Sequence, residues 1–188
     1  MTDNIANLKQ GSEAAFRELV EQWQGMVYNT ALGILQNTAD AEDVSQEVFM
    51  QVFESIGTFK GEAKISTWLY RITVTKCLDF LRKKTRKKRW GKVMSIFGDN
   101  QELLVDPPDF HHPGVELANK ERSQLLFKAI GKLPDSQKAA FVLHKLEGLS
   151  SKEIGGIMDA SVSAVEGLLH RARLNLRQQL EKYYKEGE

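Results

Sequence analysis

The sequence predicts an all-α protein built from two small helical domains joined by a flexible linker. Three observations predict it. Apolar residues return every three or four positions along most of the 188-residue chain. Runs of β-branched residues long enough for strands are few, and from Gly91 to Pro113 the periodicity fails among turn-forming residues. The length accommodates two domains, since domains commonly span about 50 to 200 residues. With 41% hydrophobic and 27% charged residues the chain reads as globular rather than disordered or fibrous.

Ser12 can cap a helix carrying Phe16, Leu19, Val20 and Trp23, and Met26, Val27, Ala31, Ile34 and Leu35 continue a second apolar stripe. Gln36-Asn37-Thr38 interrupts the pattern. The next helix, entered through Thr38 and Asp40, places Val44, Val48, Val52, Phe53 and Ile56 on one side and Asp43, Gln46, Glu47 and Met50 around the other. Gly57 and Gly61 bracket a loop, after which Ser66 or Thr67 can cap a long helix carrying Trp68, Leu69, Ile72, Leu78 and Leu81. Trp68 is expected in the core, given its spacing from Leu69 and Ile72. The first domain is expected to span 1–90, the linker 91–115 and the second domain 116–188.

Helical pattern resumes with Leu117, Leu125, Leu126 and Ile130, pauses at Gly131-Lys132-Leu133-Pro134, and returns with Phe141, Val142, Leu143 and Leu146 until Gly148. Ser150 and Glu153 have the spacing of a capping box, in which hydroxyl and carboxylate satisfy each other's exposed backbone donors. The helix begun there turns at Asp159-Ala160-Ser161 and restarts near Ser163, a helix-turn-helix layout. Gly155 permits close helix approach, and Asp159 tolerates the left-handed conformation of the turn.

The formal net charge of +1 conceals two opposed faces. Between Gln36 and Ile56 the ionisable residues are Asp40, Glu42, Asp43, Glu47 and Glu54, with no base among them. Between Arg82 and Lys92 every ionisable residue is basic: Arg82, Lys83, Lys84, Arg86, Lys87, Lys88, Arg89 and Lys92. That is the footprint of a phosphate-binding surface, although a solvated helix end facing the negative pole of its own dipole accounts for some of those lysines. In a helix-turn-helix the second helix enters the major groove, its leading residues at base edges and its later cations at phosphates. Ser163, Ala164, Glu166 and Gly167 fall in the first group; His170, Arg171 and Arg173 fall in the second. Enzyme chemistry finds no support. There is no phosphate-cradling glycine loop, His111-His112 lacks the partners of a metal site, and no cofactor is expected.

Over almost the whole chain these residues resemble the extracytoplasmic-function (ECF) sigma factors of the sigma-70 superfamily. Asp40-Ala41-Glu42-Asp43-Val44-Ser45-Gln46-Glu47-Val48-Phe49 resembles the polymerase-binding helix of region 2. Ser66-Thr67-Trp68-Leu69-Tyr70-Arg71-Ile72 through Asp79-Phe80-Leu81-Arg82-Lys83 resembles its promoter-melting and −10-recognition helix. Leu133-Pro134-Asp135 through the helix-turn-helix resembles region 4. The short N-terminus and the lack of an intervening region-3 domain resemble the minimal ECF type.

The resemblance implies a transcription initiation factor, not an enzyme, that binds RNA polymerase core through the β′ clamp and β flap. It also implies promoter DNA and an anti-sigma factor as partners. Asp43, Gln46, Glu47 and Met50 would meet the clamp. Phe59, Lys60, Gly61 and Lys64 would hold a flipped −10 base, with Arg71, Thr75, Lys76, Arg82 and Lys83 along the −10 DNA. The −35 element would be read by Ser163, Ala164, Glu166, Gly167, His170, Arg171 and Arg173. The linker would run through the polymerase, its acidic residues imitating nucleic acid.

Departures from the family pattern stand at Thr75, where asparagine is frequent, and at Glu166 and Leu168, where bases are frequent. Glu166 can accept from a cytosine amino group or complete a capping box with Ser163; the cap is preferred. A one-component DNA-binding regulator is the alternative class, disfavoured by the acidic helix, loop and basic helix in succession. No apolar stretch is long enough for a membrane span, the N-terminus lacks a signal-peptide layout and the single Cys77 cannot form an internal disulfide, so a cytoplasmic protein is expected, without membrane insertion.

Overall fold

A computed structural model describes residues 2–61, 63–94 and 120–186. Among them are α1 (Thr2–Lys9), α2 (Glu13–Leu35), α3 (Thr38–Ser55), a 3-10 turn (Ile56–Thr58), α4 (Ile65–Met94), α5 (Lys120–Gly131), α6 (Asp135–Lys145), α7 (Ser151–Met158) and α8 (Val162–Glu186), and no strand. The fold is all-α, with one helical unit in α1–α4 and another in α5–α8. The helix α1 was not anticipated from the sequence. Residues 95–119 lie outside the described residues, and with them most of the expected linker, His111-His112 and the Leu117 turn. Gly91 to Met94, expected in that linker, continue α4.

Local chemistry explains most boundaries. The Ser12 hydroxyl accepts from the Ala15 N–H at 3.4 Å, as expected, and α2 ends where Gln36 turns left-handed (φ 59°). The cap of α3 is Asn37, whose carboxamide oxygen accepts from the Asp40 N–H at 2.9 Å, rather than Thr38 or Asp40. The entry of α4 also differs. Its first backbone bond runs from the Trp68 N–H to the Lys64 carbonyl, so Ser66 and Thr67 sit inside the first turn and cap nothing.

Val44, Val48, Val52 and Ile56 bury one stripe of α3 against α2 and α4, where Val27, Ala31, Ile34, Leu69, Val74 and Cys77 close the core. Burial pushes the Cys77 thiol up to about 12. Phe53 was expected in that stripe but is 55% exposed, its ring edge-on to Phe16 at 5.1 Å. At α-helical spacing it falls between the buried stripe and Met50, and α2 offers it only the rim of the core. Trp68 is half-buried and packs on the core, with its ring centroid 5.0 Å from that of Phe59.

The two units share one apolar core. From α2 and α4 it continues into Val142 and Leu143 of α6, Ile154 and Ile157 of α7, and Val165 and Leu169 of α8. At Gly33 the approach is very close: a Cβ there would stand 2.9 Å from Cγ1 of Val142. A smaller cluster of Ala129, Ile130, Leu133, Phe141, Ala172 and Leu176 ties α5, α6 and α8 together.

Candidate nucleic-acid interfaces and an acidic docking face

On α3, Asp43, Gln46, Glu47 and Met50 are all exposed, one helical turn apart along the side opposite the core stripe. Met50 is 63% exposed and Phe53 lies one turn beyond it. With half-buried Phe49 and Phe16 these form an apolar strip beside the carboxylates. Sequence reading missed Phe53. Its position three residues after Met50 was the available signal.

Across a shallow cleft of about 420 Å³, α4 faces α3 with Arg71, Thr75, Lys76 and Lys83. Lys76 Nζ stands 3.5 Å from a Glu47 oxygen, and Lys84 Nζ stands 2.7 Å from Asp40 Oδ2. Arg82 pairs with Asp79 one turn back at 2.9 Å. These pairs are exposed in large part and weak, so a phosphate can replace the carboxylates at little cost. Thr75, Arg82, Lys83, Arg86 and Lys87 are exposed. The exposed Arg71 donates through Nη2 to the Gly156 carbonyl at 2.5 Å.

Before α4, Lys60, Gly61 (φ +77°) and Lys64 stand on the surface. Phe59 does not: it is 6% exposed, held against Trp68. Its ring anchors the loop from beneath, beside an apolar cleft of about 380 Å³ lined by Leu8, Leu19, Trp23, Lys64 and Ile65.

The helix-turn-helix forms from α7 and α8. Ser150 and Glu153 make the expected capping box: the Ser150 N–H donates to Glu153 Oε2 at 2.9 Å, and the Glu153 N–H donates to the Ser150 hydroxyl at 3.3 Å. The Ser150 hydroxyl, which also donates to that carboxylate, together with the Ser150 N–H, holds the Glu153 carboxyl below its ordinary range. Asp159 adopts the left-handed conformation (φ 52°), and the Ala160 N–H reaches back to the Gly155 carbonyl at 3.0 Å. A Cβ on Gly155 would stand 2.7 Å from the Ala160 carbonyl oxygen, so only glycine fits this turn undistorted. The preferred cap of α8 is overturned. Its hydroxyl is that of Ser161, accepting from the Ala164 N–H at 3.1 Å, because the helix begins at Val162 and leaves Ser163 inside the first turn. Glu166 therefore closes no capping box and is exposed, as are Ser163, Ala164, His170, Arg171 and Arg173. Gly167 is half-buried; the Arg171 guanidinium lies along the helix over it, 3.5 Å from where its Cβ would be.

Residues 19–87 match the family model for Sigma-70 region 2, and residues 123–176 match that for Sigma-70, region 4. The chain is 32% identical to the ECF RNA polymerase sigma-E factor of Haemophilus influenzae, covering 90% of this chain and 89% of that one. It is also 32% identical to the ECF RNA polymerase sigma factor SigW of Bacillus subtilis, over 94% of both chains. Among solved structures it resembles CnrH in complex with the cytosolic domain of CnrY (TM-score 0.65, 23% identity, 95% of this chain and 96% of that one). It likewise resembles the sigma factor RpoE in complex with the anti-sigma factor NepR from Bartonella quintana (TM-score 0.66, 19% identity, 88% and 96%).

Two helical units, one carrying an acidic and a basic face and the other a helix-turn-helix, define a promoter-directing transcription initiation factor without catalytic activity. The chain belongs to the ECF sigma factors. Its partners are RNA polymerase and promoter DNA. Among the described residues no helix is long and apolar enough to cross a membrane.

Proposed function

We propose that three surfaces divide the work of initiation. The α3 face of Asp43, Gln46, Glu47 and Met50, extended by Phe53, docks on the β′ clamp of the polymerase, where carboxylates steer a basic partner and the apolar strip supplies contact area. Lys60, Gly61 and Lys64 hold an unpaired −10 base, with Phe59 positioning their loop, while Arg71, Thr75, Lys76, Arg82 and Lys83 follow the −10 DNA backbone. The start of α8 reads the −35 element: Ser163, Ala164, Glu166 and Gly167 at base edges, His170, Arg171 and Arg173 at phosphates. Residues 1–90 and 116–188 act as the two functional domains, with 91–115 between them and the β flap holding the second. An anti-sigma factor regulates the protein, a reading supported by the anti-sigma complex of the similar RpoE structure. The protein works in the cytoplasm, where the polymerase is.

The single observation that carries this reading is the separation of charge on adjoining helices, acids along exposed α3 and cations along the exposed edge of α4. Cations that attract duplex DNA act before opening, whereas a base pocket acts only after unpairing. Neutralising Lys83, Lys84 and Lys87 is expected to weaken promoter association by the holoenzyme and to lower the log–log salt slope by roughly 2, fewer than three full charges because Lys84 is already paired with Asp40. Lys60→Ala with Lys64→Ala is expected to leave duplex association largely intact and reduce permanganate reactivity of unpaired thymines. A pre-opened bubble template that rescues the charge variant fully, yet does nothing for the loop variant, contradicts the assigned stages.

A further inference from the structure

None of the surfaces assigned above uses α1, yet this short helix is tied firmly in place. Its end is fixed to the start of α2: Gly11 turns left-handed (φ +79°), the Ser12 N–H donates to the Asn7 carbonyl at 3.1 Å, and the Ser12 hydroxyl caps α2. From that anchor α1 packs on α2 and on the 3-10 turn that leads into the base-holding loop. Leu8 is 4% exposed, in the same core as Leu19 of α2, Ile56 of the turn and Phe59 of the loop. Half-buried Ile5 packs against that core one turn earlier.

The loop has few backbone ties of its own. Among its described residues, 59–61 and 63–64, the backbone hydrogen bonds lie at the two ends: the Phe59 N–H donates to the Ile56 carbonyl at 3.1 Å, and the Lys64 carbonyl accepts from the Trp68 N–H at 3.2 Å. Between those ends its place depends on the side chains packed against it. Phe59 is one support, buried against Trp68. The other is α1. The apolar cleft of about 380 Å³ is lined from α1 by Ile5 and Leu8, from α2 by Trp23, and from the loop by Phe59, Gly61 and Lys64. Gly61 and Lys64 belong to the set assigned to the unpaired −10 base, so a single cleft joins α1 to the residues that hold it.

We propose that α1 is a positioning element for strand opening and that Leu8 is its working residue. From the core it shares with Phe59, Leu8 holds the loop of Lys60, Gly61 and Lys64 in place before the base arrives. A loop already in place spares the ordering of its residues at the moment of capture, whereas an unsupported loop must be ordered then, at the expense of the opened promoter. Leu8 touches no DNA and acts only through Phe59 and the loop. This role rests on the reading that the loop holds the unpaired base.

The test uses holoenzyme assembled from polymerase core and the full chain carrying Leu8→Ala, on a promoter that the wild-type chain opens only in part. Core affinity and duplex association should stay within about twofold of wild type, since neither assigned surface includes α1. The opening equilibrium, read by permanganate reactivity of unpaired thymines, should fall roughly tenfold, the equivalent of ordering about one further residue. Hydrogen exchange at the Phe59 amide should quicken with it. Leu8→Met, which refills the site at nearly the same volume, should restore both. Val27→Ala controls for stability alone, because Val27 is fully buried in the same core but does not line the cleft.

Should Leu8→Ala fail to fold, Ile5→Ala at the same cleft supplies the comparison. If Val27→Ala lowers opening as far as Leu8→Ala for each degree of melting temperature lost, the effect is one of general stability and the positioning role is overturned. Lys60→Ala with Lys64→Ala keeps the two failures apart. If that loop variant loses opening and Leu8→Ala does not, the role of α1 alone falls; if the loop variant opens promoters normally, the base-holding assignment falls and the role of α1 with it. Because Leu8 acts through the loop, adding Leu8→Ala to the loop variant should lose little further opening, and a second full loss of about tenfold overturns the proposal.

Discussion

Two adjacent glycines in α7 should respond oppositely to the same substitution. A Cβ on Gly155 would sit 2.7 Å from the Ala160 carbonyl oxygen, whereas one on Gly156 would meet nothing within 4 Å. The Ala160 oxygen is backbone, fixed by the left-handed Asp159 turn, so it cannot rotate away as a side chain would. Alanine gains about 0.5–1 kcal/mol over glycine inside a helix. At Gly155 an overpacking cost of about 1–3 kcal/mol opposes that gain and leaves, at mid-range, a net loss of about 1 kcal/mol. At Gly156 the gain stands alone. The two variants should therefore differ by roughly 2 kcal/mol, or about 4–8 °C in melting temperature for a chain of this size. Thermal unfolding by circular dichroism measures the difference, and titration with a −35 duplex should show a loss of about tenfold for Gly155→Ala, since displacing Ala160 re-aims α8. If Gly155→Ala is as stable as Gly156→Ala and binds the duplex equally well, the tight turn does not set the recognition geometry.

Reversing Asp43 and Glu47 to lysine should weaken binding to polymerase core by tenfold or more, about 1.4 kcal/mol or greater. Helicity should not change, because both side chains are exposed and the one ion pair lost, Glu47–Lys76, is a weak surface pair. Unaltered core affinity in the folded variant removes the docking assignment. Within α8, Arg171→Ala or Arg173→Ala should weaken binding to many −35 sequences alike, whereas substitutions at Ala164, Glu166 or Gly167 should redistribute preference among them; a randomised −35 library separates the two behaviours. Lys138 is 5% exposed, and burial lowers its pKa against the opposing pull of Asp135. Lys138→Met should raise stability by about 1 kcal/mol at neutral pH, by deleting a desolvated ammonium while keeping its stem. A lysine whose folded pKa is depressed weakens the fold wherever the unfolded lysine is charged, so the advantage should shrink as pH rises towards 10.5, and an advantage that grows there contradicts the burial argument.

The helical character, the helix-turn-helix and the opposed charges were legible in the sequence because each rests on local spacing. Ser12, Ser150 with Glu153, and Asp159 act within four residues of themselves, and the structure finds all of them in the expected roles. Mistakes arose where neighbouring residues compete for one local job. Asn37 and Thr38 both suit a helix start, as do Ser161 and Ser163, and the choice depends on how the flanking helices pack. Phe53 illustrates a different limit. Its period allows either the core or the rim, and only the position of α2 decides. The family resemblance placed Phe59 among the residues that would hold the flipped base, yet the core of the first unit takes its ring. The contact between the two units was not legible at all: Gly33 and Val142 carry no periodic signal linking them across the intervening chain.

The most direct test is run-off transcription with purified core polymerase and this chain as the only added factor, followed by mapping of the transcript starts. RNA is expected to begin at discrete positions downstream of paired −10 and −35 sequences. Charge reversal at Asp43 and Glu47 should abolish these starts at limiting factor concentration. Starts that appear only when another sigma factor is supplied would contradict the account and place the chain among accessory DNA-binding regulators.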